Sequence, residues 1–298
     1  MKTTKAAIRP YPTVLLLWIS PYLPSPLPIS VLREIHDYLQ GPFLAQVTSK
    51  RIAVFDMGTR TWRANFLHRR LEVIHPEAFL MITHSHVFIA GYCGTETEID
   101  HSAYIIHISG AVEKLPDMPI GGEVGLFHYQ ATNSVLAFGG GRLHPRNDLQ
   151  SFSLSSRNWS LLEPKMKYPR CSFFPCEYRS FVFLVGGQIP QIELFSLKTF
   201  TFSILSEGAG RVGLQHIVFP CRGNLLLLSK NKCAVFSLNQ NKYTRFIEFQ
   251  RPQPPTMNSA WVKNAAFTVD FPYFWEMDFM TLVNHKRSAI INPEYESN

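Results

Sequence analysis

Short apolar runs separated by polar turns fill most of this chain, and this pattern predicts β-strands. In the clearest segment, the apolar run 125–130 is followed by a turn, and the run 134–138 ends in three glycines. A polar loop at 142–147 leads to the run 149–154, and a second turn precedes Trp159. Runs of this length, separated by turn residues, are typical of antiparallel strands. The segment is therefore predicted to form a four-stranded antiparallel meander.

The same pattern recurs along the chain, and one residue in a strand of each repeat serves as its marker. The markers are Phe55, Ile106, Phe152, Phe195, Phe236 and Met277. Their spacing shrinks from 51 to 41 residues along the chain. A period in the forties indicates an array of one supersecondary unit, an architecture that we expect to serve binding more readily than catalysis.

Three features of the repeats point to one known family. Two repeats end a strand in paired glycines, two place a tryptophan seven residues after the marker, and Met-Pro or Met-x-x-Pro-Arg segments separate repeats. These features lie at 138–140, 185–187, Trp62, Trp159, 115–119 and 166–170. They resemble the kelch repeat, and the resemblance extends over about residues 43–285. It implies a β-propeller in which each repeat forms one blade.

We accordingly predict an all-β fold, a kelch-type β-propeller of six blades with four antiparallel strands each. Residues 1–28 are predicted to be a proline-rich, poorly ordered tail, 29–41 a short helix, and 43–292 the propeller. The repeats are expected at about 43–67, 78–119, 124–164, 172–206, 213–249 and 259–285, with the ring closed by 287–292. The helix takes the place of the innermost strand of the first blade, and residues 288–292 are expected to supply that strand.

The residues that define the repeat are interpreted as structural. Glycines at a strand end permit close approach of two backbones. The aromatic residue of the fourth strand fills space between neighbouring blades, and burial of one such ring is worth about 1.5–3 kcal/mol. We therefore expect specificity to lie in the loops.

Composition and charge narrow the classes of function. The chain has 298 residues, of which 46% are hydrophobic and 17% charged, and this excludes wholesale disorder. The net charge of +7 favours an acidic partner, while the absence of long runs of like charge argues against nucleic acid. An odd number of cysteines without a Cys-x-x-Cys pair indicates reduced thiols in a cytoplasmic protein. The cysteines are Cys93, Cys171, Cys176, Cys221 and Cys233.

The N-terminal tail carries a weak likeness to a signal peptide. Lys2, Lys5 and Arg9 precede the apolar run 14–19. This run is shorter than the hydrophobic region of a secretory signal, and far too short to span a bilayer. We therefore expect no membrane association, and leave a role in targeting open.

No catalytic centre, metal or cofactor is expected. The pair His84 and His86 would present both rings on one face of a strand, and we interpret it as a hydrogen-bonded or half-exposed pair rather than a metal site. A copper enzyme of the galactose-oxidase type is the less favoured alternative, with Cys93, Tyr104 and His107 as its nominal ligands. Phosphate-binding loops, nucleophile elbows and zinc-protease motifs are missing from the sequence.

Most of the excess positive charge is expected on one face. In a four-stranded blade, the loop between the second and third strands lies at the same end as the connection to the next blade. These segments form the predicted basic loop face, which comprises Arg69, Arg70, Arg142, His144, Arg146, Lys165, Lys167, Arg170, Arg211, Lys230 and Lys232. The acidic residues Glu96, Glu98 and Asp100 interrupt it. We predict that this face binds an acidic segment of a partner protein, and the alternative is a solvated loop surface.

A second hypothesis concerns residues 27–39. This segment begins with Leu-Pro, continues with apolar residues at helical spacing, and resembles the start of an F-box. The resemblance implies a substrate-recognition subunit of a cullin-type ubiquitin ligase, whereas the alternative is a helix that caps the propeller. The preferred prediction is a non-catalytic interaction scaffold, either a monomer or an oligomer of unknown order.

Overall fold

The structure is a computed structural model of the chain. It describes residues 43–47, 50–56, 61–69, 71, 79–83, 85–93, 99–141, 144–187, 189–206, 217–221, 223–228, 232–248, 259–262, 265–270, 273–278, 283–288 and 290–291. The predicted tail at 1–28, the helix at 29–41 and the F-box-like segment at 27–39 lie outside these residues.

The described residues form six sheets of four strands each. The first sheet begins with β1 (Phe43–Val47), β2 (Arg51–Asp56) and β3 (Thr61–Phe66). The second contains β4 (Phe79–Thr83), β5 (His86–Cys93), β6 (Ile99–His107) and β7 (Val112–Leu115). The third contains β8 (Gly125–Tyr129), β9 (Ser134–Phe138), β10 (Leu149–Ser153) and β11 (Asn158–Leu162).

The remaining sheets follow in chain order. The fourth contains β12 (Phe173–Tyr178), β13 (Phe181–Gly186), β14 (Ile189–Ser196) and β15 (Phe202–Ser206). The fifth contains β16 (Ile217–Cys221), β17 (Asn224–Leu228), β18 (Lys232–Ser237) and β19 (Lys242–Glu248). The sixth contains β20 (Ser259–Val262), β21 (Ala265–Asp270), β22 (Tyr273–Asp278) and β23 (Val283–Ser288), and β24 (Ile290–Ile291) follows.

The all-β prediction is confirmed for the described residues. Their one helical element is a 3₁₀ turn at Gln130–Thr132. Each of the second to sixth sheets is a meander in which consecutive strands pair antiparallel. We call the end of a sheet with the loop between its second and third strands the loop end, and the opposite end the turn end.

A local sequence pattern explains the turns between the third and fourth strands of three sheets. A serine at the end of the third strand accepts, through Oγ, a hydrogen bond from the backbone N–H three residues later. The next residue adopts a left-handed conformation, which closes the turn. The serines are Ser153, Ser196 and Ser237, and the left-handed residues are Arg157, Phe200 and Asn241.

The first strands of successive sheets are neighbours, and their contacts close into a cycle. β1 contacts β4, β4 contacts β8, β8 contacts β12, β12 contacts β16, β16 contacts β20, and β20 contacts β1. Each sheet therefore has its first strand beside those of the preceding and following sheets.

The C-terminal strand joins the first sheet at a place different from the predicted one. β24 pairs with β3, with Ile290 opposite Thr61 and Ile291 opposite Trp62, in parallel orientation. The predicted place, at the edge where the first strands meet, is wrong because β1 already occupies that edge between β4 and β20. β24 instead adds to the opposite edge, and the first sheet has its fourth strand from the far end of the chain.

Apolar side chains fill the space between neighbouring sheets. Between the second and third sheets, the ring of Phe152 lies with its centroid 5.4 Å from that of Phe88 and 5.0 Å from that of Trp159. Between the third and fourth, the centroids of Phe138 and Phe202 lie 6.3 Å apart. Trp159 and Phe202 belong to fourth strands, so these aromatic residues fill the space between sheets as the sequence predicts.

Candidate protein-interaction face

The loop between β9 and β10 and the connection between β11 and β12 lie together at the loop end of the third sheet. The backbone N–H of Arg170 donates to the carbonyl oxygen of Arg146 at 2.9 Å, and that of Met166 donates to the carbonyl oxygen of Asn147 at 2.9 Å. The side-chain amide of Asn147 donates back to the carbonyl oxygen of Met166 at 3.1 Å. These backbone contacts join the two segments into one surface, as predicted for this junction.

Glycine makes this close approach of the two segments feasible. Gly139 has a φ of 67°, and a Cβ there would lie 2.3 Å from the carbonyl oxygen of Arg170. Gly187 has a φ of 70°, and a Cβ there would lie 2.6 Å from the carbonyl oxygen of Cys171. Both positions combine a left-handed backbone with no room for a side chain, which explains one glycine of each pair.

Arg146 and Lys165 converge on one buried carboxylate. Arg146 Nε lies 3.1 Å from Asp148 Oδ2, and Lys165 Nζ lies 3.1 Å from Asp148 Oδ1. The side chains of Arg146 and Lys165 are 54% and 56% exposed, whereas that of Asp148 is 4% exposed. Burial alone would raise the pKa of Asp148, but hydrogen bonds and charges from Lys165 and Arg146 outweigh it and lower the pKa.

Two more basic side chains are exposed at the same place. His144 lies in the loop before Arg146, and Lys167 lies in the connection after Lys165. Lys167 Nζ is 5.7 Å from the centroid of the Tyr168 ring. We call His144, Arg146, Lys165 and Lys167 together the cationic junction.

Arg170 must be removed from the predicted basic loop face. Its side chain is 0% exposed, and its Nη1 and Nη2 donate to the carbonyl oxygens of Gly186 at 2.6 Å and Gln191 at 2.7 Å. Its Nε lies 3.7 Å from Oε2 of the equally buried Glu193. Burial lowers the pKa of Arg170 to about 10, although the charge of Glu193 opposes this effect. The guanidinium binds backbone within the fold and is not available to a partner.

Two buried polar residues that the sequence reasoning missed hold the connections between sheets. Gln150 accepts a hydrogen bond from the backbone N–H of Ile120 at 2.9 Å and donates to its carbonyl oxygen at 2.8 Å. Glu193 accepts from the backbone N–H of Lys167 in the next connection. Burial raises the pKa of Glu193, opposed by hydrogen bonds from the backbone of Lys167 and by Arg170. Both residues stand two positions before a marker phenylalanine. This polar position, shared by two repeats, is the sequence signal from which both residues could be identified.

Arg69 also lies away from the cationic junction. The preceding residue, His68, donates its backbone N–H to the carbonyl oxygen of Gly110 at 2.9 Å. Gly110 belongs to the turn between β6 and β7, at the turn end of the second sheet. The placement of Arg69 on the loop face is therefore wrong, because the chain leaves the first sheet from β3 and begins its connection at the turn end.

The side chains of the other predicted basic residues are not among those that the structure describes. Arg70, Arg142, Arg211 and Lys230 lie outside the described residues, and Lys232 begins β18 without a described side chain. The acidic Glu96 and Glu98 also lie outside, and the side chain of Asp100 is not described. The basic loop face as a whole therefore stays a prediction, represented by the cationic junction.

Of the paired histidines and the nominal copper ligands, the structure describes the side chains of His86, Tyr104 and His107. His86 Nδ1 lies 3.1 Å from Thr83 Oγ1, and the His86 ring centroid lies 4.9 Å from that of His107 on the neighbouring strand. Tyr104 and His107 stand three residues apart in β6, so their side chains point to opposite faces of the sheet. His84 lies outside the described residues, as does the side chain of Cys93.

Within the described ranges, no group of three or more His, Cys, Asp or Glu side chains is placed to hold a metal ion. No helix in the described part of the chain has the length and apolar character to cross a membrane. The thiols of Cys171 and Cys176 are buried. Burial and the charge of Glu177 raise the pKa of Cys176 to about 12, so this thiol stays protonated at neutral pH.

Comparison with known proteins gives no family assignment. No protein-family model matches the sequence, and a search of curated proteins finds no match.

Proposed function

We propose that the protein is a non-catalytic interaction module, a six-bladed kelch-type β-propeller that binds an acidic segment of a partner protein through its loop face. Six four-stranded sheets and the cyclic contacts of their first strands support the ring. The close backbone approaches at Gly139 and Gly187 support the kelch resemblance. A ring of blades buries the sheet faces and leaves the loops as the variable surface.

The cationic junction is the observation that carries the proposed binding function. Three of its side chains, Arg146, Lys165 and Lys167, are those of arginine and lysine, and they are exposed on adjoining segments at one loop end. Asp148 is the carboxylate that contacts two of them, and it is largely buried. The surface that a partner meets is therefore positive, which favours a negatively charged segment and speeds its approach.

Charge reversal tests this proposal. The triple variant Arg146→Glu, Lys165→Glu and Lys167→Glu is compared with Arg179→Glu, Lys198→Glu and Lys242→Glu, three exposed positions at turn ends. Both variants change the net charge equally. Partners that co-purify with the wild-type chain are expected to be lost from the first variant and retained by the second. Retention of all partners by the first variant would contradict the proposal.

A sequence observation supports a second candidate, a substrate receptor of a cullin-type ubiquitin ligase. Residues 27–39 carry the F-box-like pattern, and they lie outside the described structure. In the full-length chain, Leu32→Asp and Ile35→Asp are expected to abolish co-purification of a cullin and its adaptor. If the wild-type chain captures neither protein, this candidate is wrong, and the interaction module proposal is unaffected.

A further inference from the structure

The sum of charges at the cationic junction does not explain why Asp148 contacts two of its side chains. It is an acidic residue beneath a surface proposed to bind acid, yet its two carboxylate oxygens contact one cation each. Its lowered pKa keeps it ionised at neutral pH. The negative charge reduces the local positive charge, while the two contacts fix the directions of two long side chains.

The contact to Asp148 also leaves the binding edge of Arg146 unused. The atom of Arg146 that contacts the carboxylate is Nε, so this contact does not use the two terminal nitrogens. Those nitrogens form the fork that recognises a planar carboxylate through two parallel hydrogen bonds. The backbone of Arg146 is fixed as well, because its N–H donates to Gly140 and its carbonyl oxygen accepts from Arg170. Arg146 is thus held by both its backbone and its side chain.

We propose that Asp148 is a positioning residue that sets Arg146 and Lys165 as a preorganised receptor for a carboxylate side chain of an acidic peptide. Arg146 supplies the bidentate fork, and Lys165 and Lys167 supply flanking point charges. Arginine and lysine each lose much rotamer freedom when they are ordered, and prior ordering by Asp148 removes part of that cost from binding. This inference rests on the proposed function, because it names the group that the loop face recognises.

Two variants with the same change of charge separate positioning from overall electrostatics. Asp148→Asn and Glu163→Gln each remove one negative charge, and Glu163 is an exposed residue two positions before Lys165. If only the overall charge matters, both variants bind an acidic peptide more tightly than the wild-type chain does. If Asp148 positions the two cations, Asp148→Asn binds the peptide about three- to tenfold more weakly than the wild-type chain does. Glu163→Gln then binds it as tightly as the wild-type chain or more tightly.

The measurement is fluorescence anisotropy with a labelled hexaglutamate peptide and a hexaglutamine control, on full-length protein whose melting temperature is recorded. Arg146→Lys keeps the charge but removes the fork, and it is expected to weaken binding about as much as Asp148→Asn. The salt dependence of binding should persist in Asp148→Asn, because the cations remain.

The outcomes separate this inference from the function on which it rests. If the wild-type chain does not prefer hexaglutamate over hexaglutamine, the proposed function fails. If it does, and Asp148→Asn binds as tightly as Glu163→Gln, the positioning role is overturned while the function stands. Should Asp148→Asn fail to fold, wild-type affinity in Arg146→Lys overturns the carboxylate fork in its place.

Discussion

Single residues decide how closely the loop and the connection approach each other at the loop end. Gly139 and Gly223 both have positive φ, at 67° and 78°. A Cβ at Gly139 would meet the carbonyl oxygen of Arg170 at 2.3 Å, whereas the nearest atom to a Cβ at Gly223 is 3.7 Å away. The two glycines therefore share backbone strain on substitution, and only Gly139 adds a steric clash.

We expect Gly139→Ala to destabilise the protein more than Gly223→Ala. The left-handed backbone costs an alanine about 1–2 kcal/mol, which is the whole expected loss of unfolding free energy in Gly223→Ala. Gly139→Ala adds the clash with Arg170, and its expected loss is about 3 kcal/mol or more. Urea denaturation of both variants measures the difference. Equal losses would show that the close approach at Gly139 is not tight.

The buried pair of Arg170 and Glu193 is expected to be coupled. Arg170→Met leaves the carboxylate of Glu193 buried without its cation, and about 3–5 kcal/mol of unfolding free energy should be lost. In the double variant with Glu193→Gln, no buried charge remains, and Gln can still accept from the backbone N–H of Lys167. The double variant should therefore lose less than the two single variants together, and additive losses in a double-mutant cycle would rule out the coupling.

Among the elements, β24 has the most unusual position. It is two residues long, it pairs parallel to β3, and it brings the end of the chain to the first sheet. β1 already contacts β4 and β20, so the first strands form their cycle of contacts without β24. β24 instead completes the first sheet as its fourth strand. Its contribution is therefore a link between the two ends of the described chain.

Two truncations test this link. A chain that ends at Ala289 lacks β24, whereas a chain that ends at Asn292 keeps it. We expect the shorter chain to have a melting temperature several degrees lower, since the first sheet loses its fourth strand and the backbone pairing of that strand with β3. The longer chain should melt as the full-length protein does. The same melting temperature for both truncated chains would contradict a stabilising role for β24.

The strands were predictable because their signals are local. Apolar runs, paired glycines and turn residues are set by neighbours within a few residues. The edge at which β24 pairs was not predictable, because the choice between β1 and β3 depends on how the sixth sheet meets the first. The wrong placement of Arg69 has the same cause. No fourth strand of the first sheet follows β3 directly in the chain, so the connection to the second sheet leaves from the turn end and not from the loop end.

The candidate site was predictable only in part. The exposure of His144, Arg146, Lys165 and Lys167 is predictable because loops next to strands are exposed, and the basic character of these residues is visible in the sequence. Arg170 was misplaced because an arginine before a strand looks exposed unless its buried partner is known. That partner, Glu193, comes from the next sheet, and no local signal joins the two residues.

For the molecule as a whole, we propose that the loop ends bind the partner and that the sheets provide structural support. Amide hydrogen exchange of the full-length protein, with and without its co-purified partner, tests this assignment most directly. Slower exchange on binding is predicted at residues 144–148 and 163–169, with little change in the turns at 130–133 and 154–157. Protection of those turns with none at the cationic junction would contradict the account.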